Sequence, residues 1–261
     1  MILRRFTANM KKQDWAAIAI ELVVVVVGVF IGLQASNWNE NQQTDTKAAQ
    51  FTENLKADMR TEDWGYEFDI QYLGNVRSTA MRALNALTGA VPLSDEDLLT
   101  NAFRATQYND NIRQRATYDE LTSTGSMGLI RDKALRNAAT QLYTSTLFDT
   151  IAQEGLNSPY RRAFRMAIPI EVQHALDAKC GDLITVVGDY HTNFTRALDY
   201  PCSTGLSPEV IKTSASTLRS NPDFIPMLRL RVMDTETNIT NLMVYGKPVR
   251  QALRAIAKEP Q

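Results

Sequence analysis

After a polar, basic opening the chain turns apolar from Trp15 to Ala35, interrupted only by Glu21 and Gln34, and Leu22 to Leu33 is unbroken. Those 21 residues, wound as a helix, reach about 31 Å, the hydrocarbon thickness of a bilayer. Trp15 and Trp38 bracket the stretch, as an indole prefers at each membrane–water boundary. The pattern predicts a transmembrane helix over 15–36. Two other readings fit it badly. A cleaved signal peptide would need small residues before its cut, and Leu33-Gln34-Ala35 places Leu at the critical position. A buried core helix does not call for tryptophan at both ends.

Beyond residue 45 the pattern becomes that of amphipathic helices. Phe51, Leu55 and Met59 recur every four residues, and Tyr72, Leu73, Val76, Ala80, Leu84 and Leu87 continue the stripe until Gly89 and Pro92 stop it. Gly65 and Gly74 are points where this segment can divide in two. Ser94, followed by Asp95, Glu96 and Asp97, predicts an N-cap for a short helix to about Gln107. Thr117 and Glu120 have capping-box spacing, Gly125 and Gly128 predict a stop, and Asp132 predicts the cap of a helix burying Leu135, Ala138, Ala139, Leu142 and Tyr143. Ser207-Pro208 and Asn221-Pro222 predict helix starts, with the helices reaching about Ser220 and Tyr245. Pro226 and Gly246-Lys247-Pro248 are expected to kink or interrupt the last of these. Leu183 to Val187 is the one short stretch compatible with a strand. The expected class is all-α: an N-terminal transmembrane helix and a helical-bundle domain outside the membrane.

Charge sets orientation and excludes one partner. Arg4, Arg5, Lys11 and Lys12 precede the span, while Asn37, Asn39, Glu40 and Asp45 follow it. The positive-inside rule then puts residues 1–14 in the cytoplasm and 37–261 outside. The first 40 residues carry four basic side chains against Asp14, Glu21 and Glu40, so the remainder holds -2 of a formal net charge of -1. A domain with both signs interspersed lacks the basic footprint of a nucleic-acid binder.

On a helical wheel Glu21, Gly28 and Gly32 fall within about 40° of one another, with Asp14, Ala17 and Ala35 beside them. Gly28 and Gly32 form a GxxxG pattern, through which a second transmembrane helix could approach closely. A carboxylate in a span marks a partner or a pathway; lying near the cytoplasmic boundary, Glu21 could also reach the lipid headgroups. Lipid and another membrane helix are thus the expected partners.

Cys180 and Cys202 are the only cysteines and flank a Gly-, Asp- and Pro-containing loop. Outside the cytoplasm they are expected to pair, stabilising by roughly 3 kcal/mol; two unpaired buried thiols are the other reading. Catalytic chemistry leaves no motif. His174 and His191 have no metal-ligand spacing around them, and Gly125-Ser126-Met127-Gly128 lacks the spacing of a nucleophile elbow. Asp182, Asp189 and His191 form a polar group typical of turns, Tyr160, Arg161, Arg162 and Arg165 read as a solvated helix face, and Asn193 and Asn238 head glycosylation sequons. No phosphate-binding loop, dinucleotide fingerprint, metal or cofactor is expected.

The opening WAAIAIELVVVVVGVFIGLQASNWNE resembles the start of an uncharacterised family of bacterial membrane-anchored proteins: an acidic residue, a Val/Ile-rich span with paired glycines, then a polar exit through Ser36-Asn37-Trp38-Asn39-Glu40. TYDELTSTGSMGLIRDKALRNAATQLY and NPDFIPMLRLRV resemble its central and later segments. The resemblance implies a bacterial inner-membrane protein with a periplasmic helical domain, and carries no activity. The function expected is therefore not catalytic but that of a membrane-tethered accessory or scaffold subunit. A periplasmic ligand sensor is the alternative, and an envelope hydrolase the third.

Overall fold

The structure, a computed structural model, describes residues 15–110 and 113–257, apart from the side chains of Tyr245 and Ala257. The expected cytoplasmic segment 1–14, with its basic residues and Asp14, lies outside the described residues. Ten α-helices, a 3-10 turn and a π-helical turn make up the described chain, with no strand among the described residues. The all-helical expectation holds. Contacts divide the chain into two units, residues 1–53 with 127–131 and residues 54–126 with 132–261.

Helix α1 (Trp15–Leu87) runs through both. In the first unit it carries the apolar segment, long and apolar enough to be a candidate membrane span, none of which is buried. Past the apolar segment, Ala48 is buried and Arg131 donates to Asp45.

In the second unit, α1 is the central rod. Glu62 to Tyr66 are all buried, so protein covers every side of the helix there. This explains why Gly65 and Gly74 do not break it. A glycine costs a helix about 1 kcal/mol, less than burying Trp64, Tyr66, Phe68, Tyr72 and Leu73 contributes.

After α1 come α2 (Asp95–Arg104), α3 (Ala116–Ser123), α4 (Lys133–Tyr143), α5 (Leu147–Leu156), α6 (Pro159–Ala167), α7 (Ile170–Cys180), α8 (Pro208–Ser220), α9 (Phe224–Thr240) and α10 (Lys247–Ala257). α2 packs on α7 and α8, α6 on α9, and α4 on α10. The larger core joins Ala80 and Ala83 of α1 to Leu98, Phe103, Tyr160, Phe164, Leu176, Leu218 and Phe224. A smaller one sets Trp64, Phe68, Tyr72 and Val76 against Phe194, Ala197 and Leu198.

Three expected caps form. Ser94 Oγ accepts from Asp97 N at 3.0 Å, Asp132 Oδ1 from Ala134 N at 2.7 Å, and Ser207 Oγ from Val210 N at 3.5 Å. Two do not. α3 starts at Ala116, ahead of Thr117, and the Thr117 amide donates to Asp58 Oδ2 on α1 at 3.1 Å, so a tertiary carboxylate replaces the local box. α9 starts at Phe224, while Asn221 accepts from Asp223 N at 3.0 Å in a turn ahead of the helix. Pro226 produces no break, because its missing N–H falls in the first turn, where an amide has no intrahelical partner. The expected interruption near Gly246 appears as the π-helical turn Asn241–Tyr245 before α10. Leu183 to Val187 is not a strand; Leu183 N donates to Ala197 O at 2.8 Å, and Val186 O accepts from Asp189 N at 2.9 Å in a turn, with no ladder between them.

Candidate functional site

On the apolar segment, helical geometry keeps Glu21, Gly28 and Gly32 on one face. A methyl group added at Gly28 or Gly32 would meet nothing within 4 Å, so this face is open. Trp15 and Trp38, at 73% and 69% exposure, flank exposed Val23, Val27, Phe30 and Leu33.

In the second unit, the acidic residues of α1 hold the covering segments. Glu62 accepts from Arg113 Nε at 2.5 Å and from Gln114 N at 2.6 Å. Burial nevertheless pushes its carboxyl up from the ordinary value, with Arg113 pulling the other way. Asp63 accepts from the Tyr190 hydroxyl at 3.0 Å, and burial raises it too. Asp69 accepts from Asn109 at 2.5 Å, and Glu67 from Arg250 at 2.7 Å. Such groups are expensive to bury alone and tolerable when paired, so each pair fixes where a loop or helix lies on the rod.

The end of α2 is held by arginines. The carbonyls of residues 105–107, just past the helix, lie beyond its hydrogen-bond ladder. Arg231 donates to Ala105 O at 3.1 Å and Gln107 O at 2.7 Å, and Arg161 donates to Thr106 O at 2.8 Å. Arg104, itself buried, donates to Cys180 O at 2.9 Å and Tyr200 O at 2.9 Å, its guanidinium 4.3 Å from the Tyr200 ring centre. The solvated-face expectation for Tyr160 and Arg161 is therefore overturned: they are 1% and 7% exposed. Arg162 and Arg165, on the outer side of α6, are exposed as expected.

Cys180 and Cys202 form a disulfide with Cα atoms 5.5 Å apart. The loop it closes is also tied to α1. Tyr72 donates to Asp182 at 2.9 Å, Trp64 Nε1 donates to Asp189 O at 2.8 Å, and Phe194 packs 6.0 Å from Trp64. The expected Asp182–Asp189–His191 grouping thus splits: Asp182 faces α1, whereas Asp189 caps the amides of His191 and Thr192 in its own turn. His174 and His191 are both exposed, and no metal-holding cluster occurs among the described residues. Ser126 lies in the 3-10 turn Ser126–Leu129 with its hydroxyl 2.9 Å from that of Thr124. The sequon asparagines are engaged internally, Asn193 with Ile184 O at 3.1 Å and Asn238 with Glu154 at 2.9 Å.

Sequence reasoning missed a cleft. It lies among the end of α2, α6 and α7, has a volume of about 440 Å³, and is lined by Phe103, Phe164 and Ile168 together with Arg161, Arg165 and His174. The helix-face spacing of Ile170, Gln173, His174 and Asp177 was the available signal, since all four also line it.

Together these observations define a class: an all-helical domain built on one long helix whose N-terminal segment is exposed and apolar. The chain belongs to the family of unknown function DUF6090, whose profile matches residues 21–158, from Glu21 on the apolar segment to the residue before α6. No curated protein and no solved structure matches it.

Proposed function

We propose that the protein is a membrane-tethered accessory or scaffold subunit. Residues 15–36 span a bacterial inner membrane, the N-terminus is cytoplasmic, the helical domain is periplasmic, and the Glu21–Gly28–Gly32 face packs on another transmembrane helix. The observation that carries this reading is the open glycine face on an apolar segment of which no residue is buried. In lipid, glycines offer no packing advantage and a carboxylate must neutralise or reach the interface. Against a partner helix, the glycines admit close backbone contact and Glu21 gains a hydrogen bond on the order of 1 kcal/mol.

The test is copurification from gently solubilised membranes followed by mass spectrometry. Gly28→Leu with Gly32→Leu keeps the span apolar but blocks close approach, and is expected to lose the stoichiometric partner while leaving the outer domain folded. Retention of the same partner would sink the reading. A second reading, a ligand-sensing protein, takes its support from the cleft beside α6 and α7.

A further inference from the structure

We propose that the cleft among α2, α6 and α7 binds a small amphiphilic monocarboxylate. This goes beyond tethering and deepens the ligand-sensing reading, on which it rests. Its volume, about 440 Å³, lies within the range of small-molecule sites. One wall is apolar, formed by Phe103, Phe164 and Ile168. Ile170 also lines the cleft yet is 61% exposed, apolar surface that the core leaves uncovered.

The cleft is also cationic, with both arginines on the helix that carries Phe164. Arg161 and Arg165 lie one helical turn apart on α6 and both line the cleft. Arg161 donates through Nη1 to Thr106 O and stands 4.8 Å from the Tyr108 ring centre, but its buried Nε has no acceptor. Burial lowers its pKa, and the neighbouring positive charge of Arg165 lowers it further. Elsewhere in the domain arginines meet carboxylates, as Arg82 does with Asp199, Arg113 with Glu62 and Arg250 with Glu67. Among the described residues neither Arg161 nor Arg165 has an ion pair. Asp182, whose charge reaches Arg161, is taken by the Tyr72 hydroxyl.

A ligand carboxylate would relieve the Arg161–Arg165 repulsion and receive charge-assisted hydrogen bonds from Arg165, while its apolar body lies on the aromatic wall. Asp177, the one acidic residue lining the cleft, opposes a polyanion and fits a ligand with a single charge. The corner is set in advance. Gln173 Nε2 donates to Arg165 O at 3.0 Å and to Ile168 O at 2.7 Å, bracing α7 against the end of α6.

Calorimetric titration of the full chain in lipid nanodiscs with phenylacetate, using phenylacetamide as the neutral isostere and empty nanodiscs as the blank, tests this. Saturable binding of the acid with a dissociation constant on the order of 1 mM or tighter is expected for a ligand of this size. The amide is expected to bind at least about tenfold more weakly, the loss of one charge-assisted contact. Arg165→Gln and Ile170→Glu, both at exposed positions, should each weaken the acid by about tenfold without changing the melting temperature. Arg165→Lys should recover part of the affinity. Failure of the acid to saturate, equal binding of the amide, or full affinity in either weakening variant would overturn the proposal. None of these outcomes bears on the span, which copurification reads separately.

Discussion

Arg113 Nε and Glu62 Oε2 meet at 2.5 Å with their side chains 12% and 3% exposed, which makes this the most enclosed ion pair among the described residues. It joins the rod to the segment between α2 and α3, since the other Glu62 oxygen takes the Gln114 amide, and the Arg113 guanidinium stands 4.5 Å from the Phe148 ring centre. Removing one charge strands the other in a half-dry site. Glu62→Ala is therefore expected to lower stability by about 3–5 kcal/mol, measured by denaturant unfolding with tryptophan fluorescence. Glu62→Leu combined with Arg113→Met removes both charges and should cost less than the single change. A double variant that loses the sum of the two single losses would show that the residues act independently.

Asp63 ties pH to stability. One of its oxygens accepts from Tyr190, the other is buried without a partner, and burial raises the carboxyl above 3.8. The folded state then holds a proton that the unfolded chain has released, so this group's contribution falls as pH rises from the unfolded value through the folded one. Asp63→Asn should erase that penalty. The expected outcome is a melting temperature that gains more over the parent at pH 7 than at pH 4. A gain of the same size at both pH values would exclude ionisation of Asp63 as the cause.

Where the sequence spoke clearly, it did so through local chemistry. The stripe Leu55, Met59, Tyr72, Val76 and Ala80 became the buried face of α1, and Ser94, Asp132 and Ser207 became caps, because each depends on neighbours within a turn or two. Boundaries set by distant groups were not legible. Thr117 looked like a cap until Asp58, 59 residues earlier, supplied the acceptor. Arg161 looked solvated because its partner, the Thr106 carbonyl, lies 55 residues away and belongs to the backbone, which leaves no mark on side-chain periodicity. Continuity through Gly65 was invisible for the same reason: it depends on what surrounds the helix. The cleft combines the end of α2 with α6 and α7, and the pattern over residues 147–180 had fixed no element boundaries from which to assemble it.

Gly246 joins the π-helical turn to α10 and packs where the Tyr66 ring leaves room for hydrogen alone. A methyl group there would run into the Tyr66 hydroxyl and the Leu242 carbonyl. Its φ is -76°, which any residue adopts, so space rather than backbone conformation demands glycine. Gly246→Ala is expected to cost about 2 kcal/mol, the usual scale for overpacking a close contact. The damage should centre on α10, whose Arg250 and Arg254 both reach Glu67 on the rod. Hydrogen exchange over 247–257 should therefore rise more than over α2, which is buried from Leu98 to Arg104. Tyr66→Phe deletes the nearest clashing atom and leaves the Leu242 carbonyl in place. Adding it to Gly246→Ala should recover part of the stability, and the pair should couple by more than about 0.5 kcal/mol, the threshold that separates contacting residues from distant ones. Strict additivity of the two changes would place the cost in the π-helical turn alone and remove the Tyr66 contact from the account.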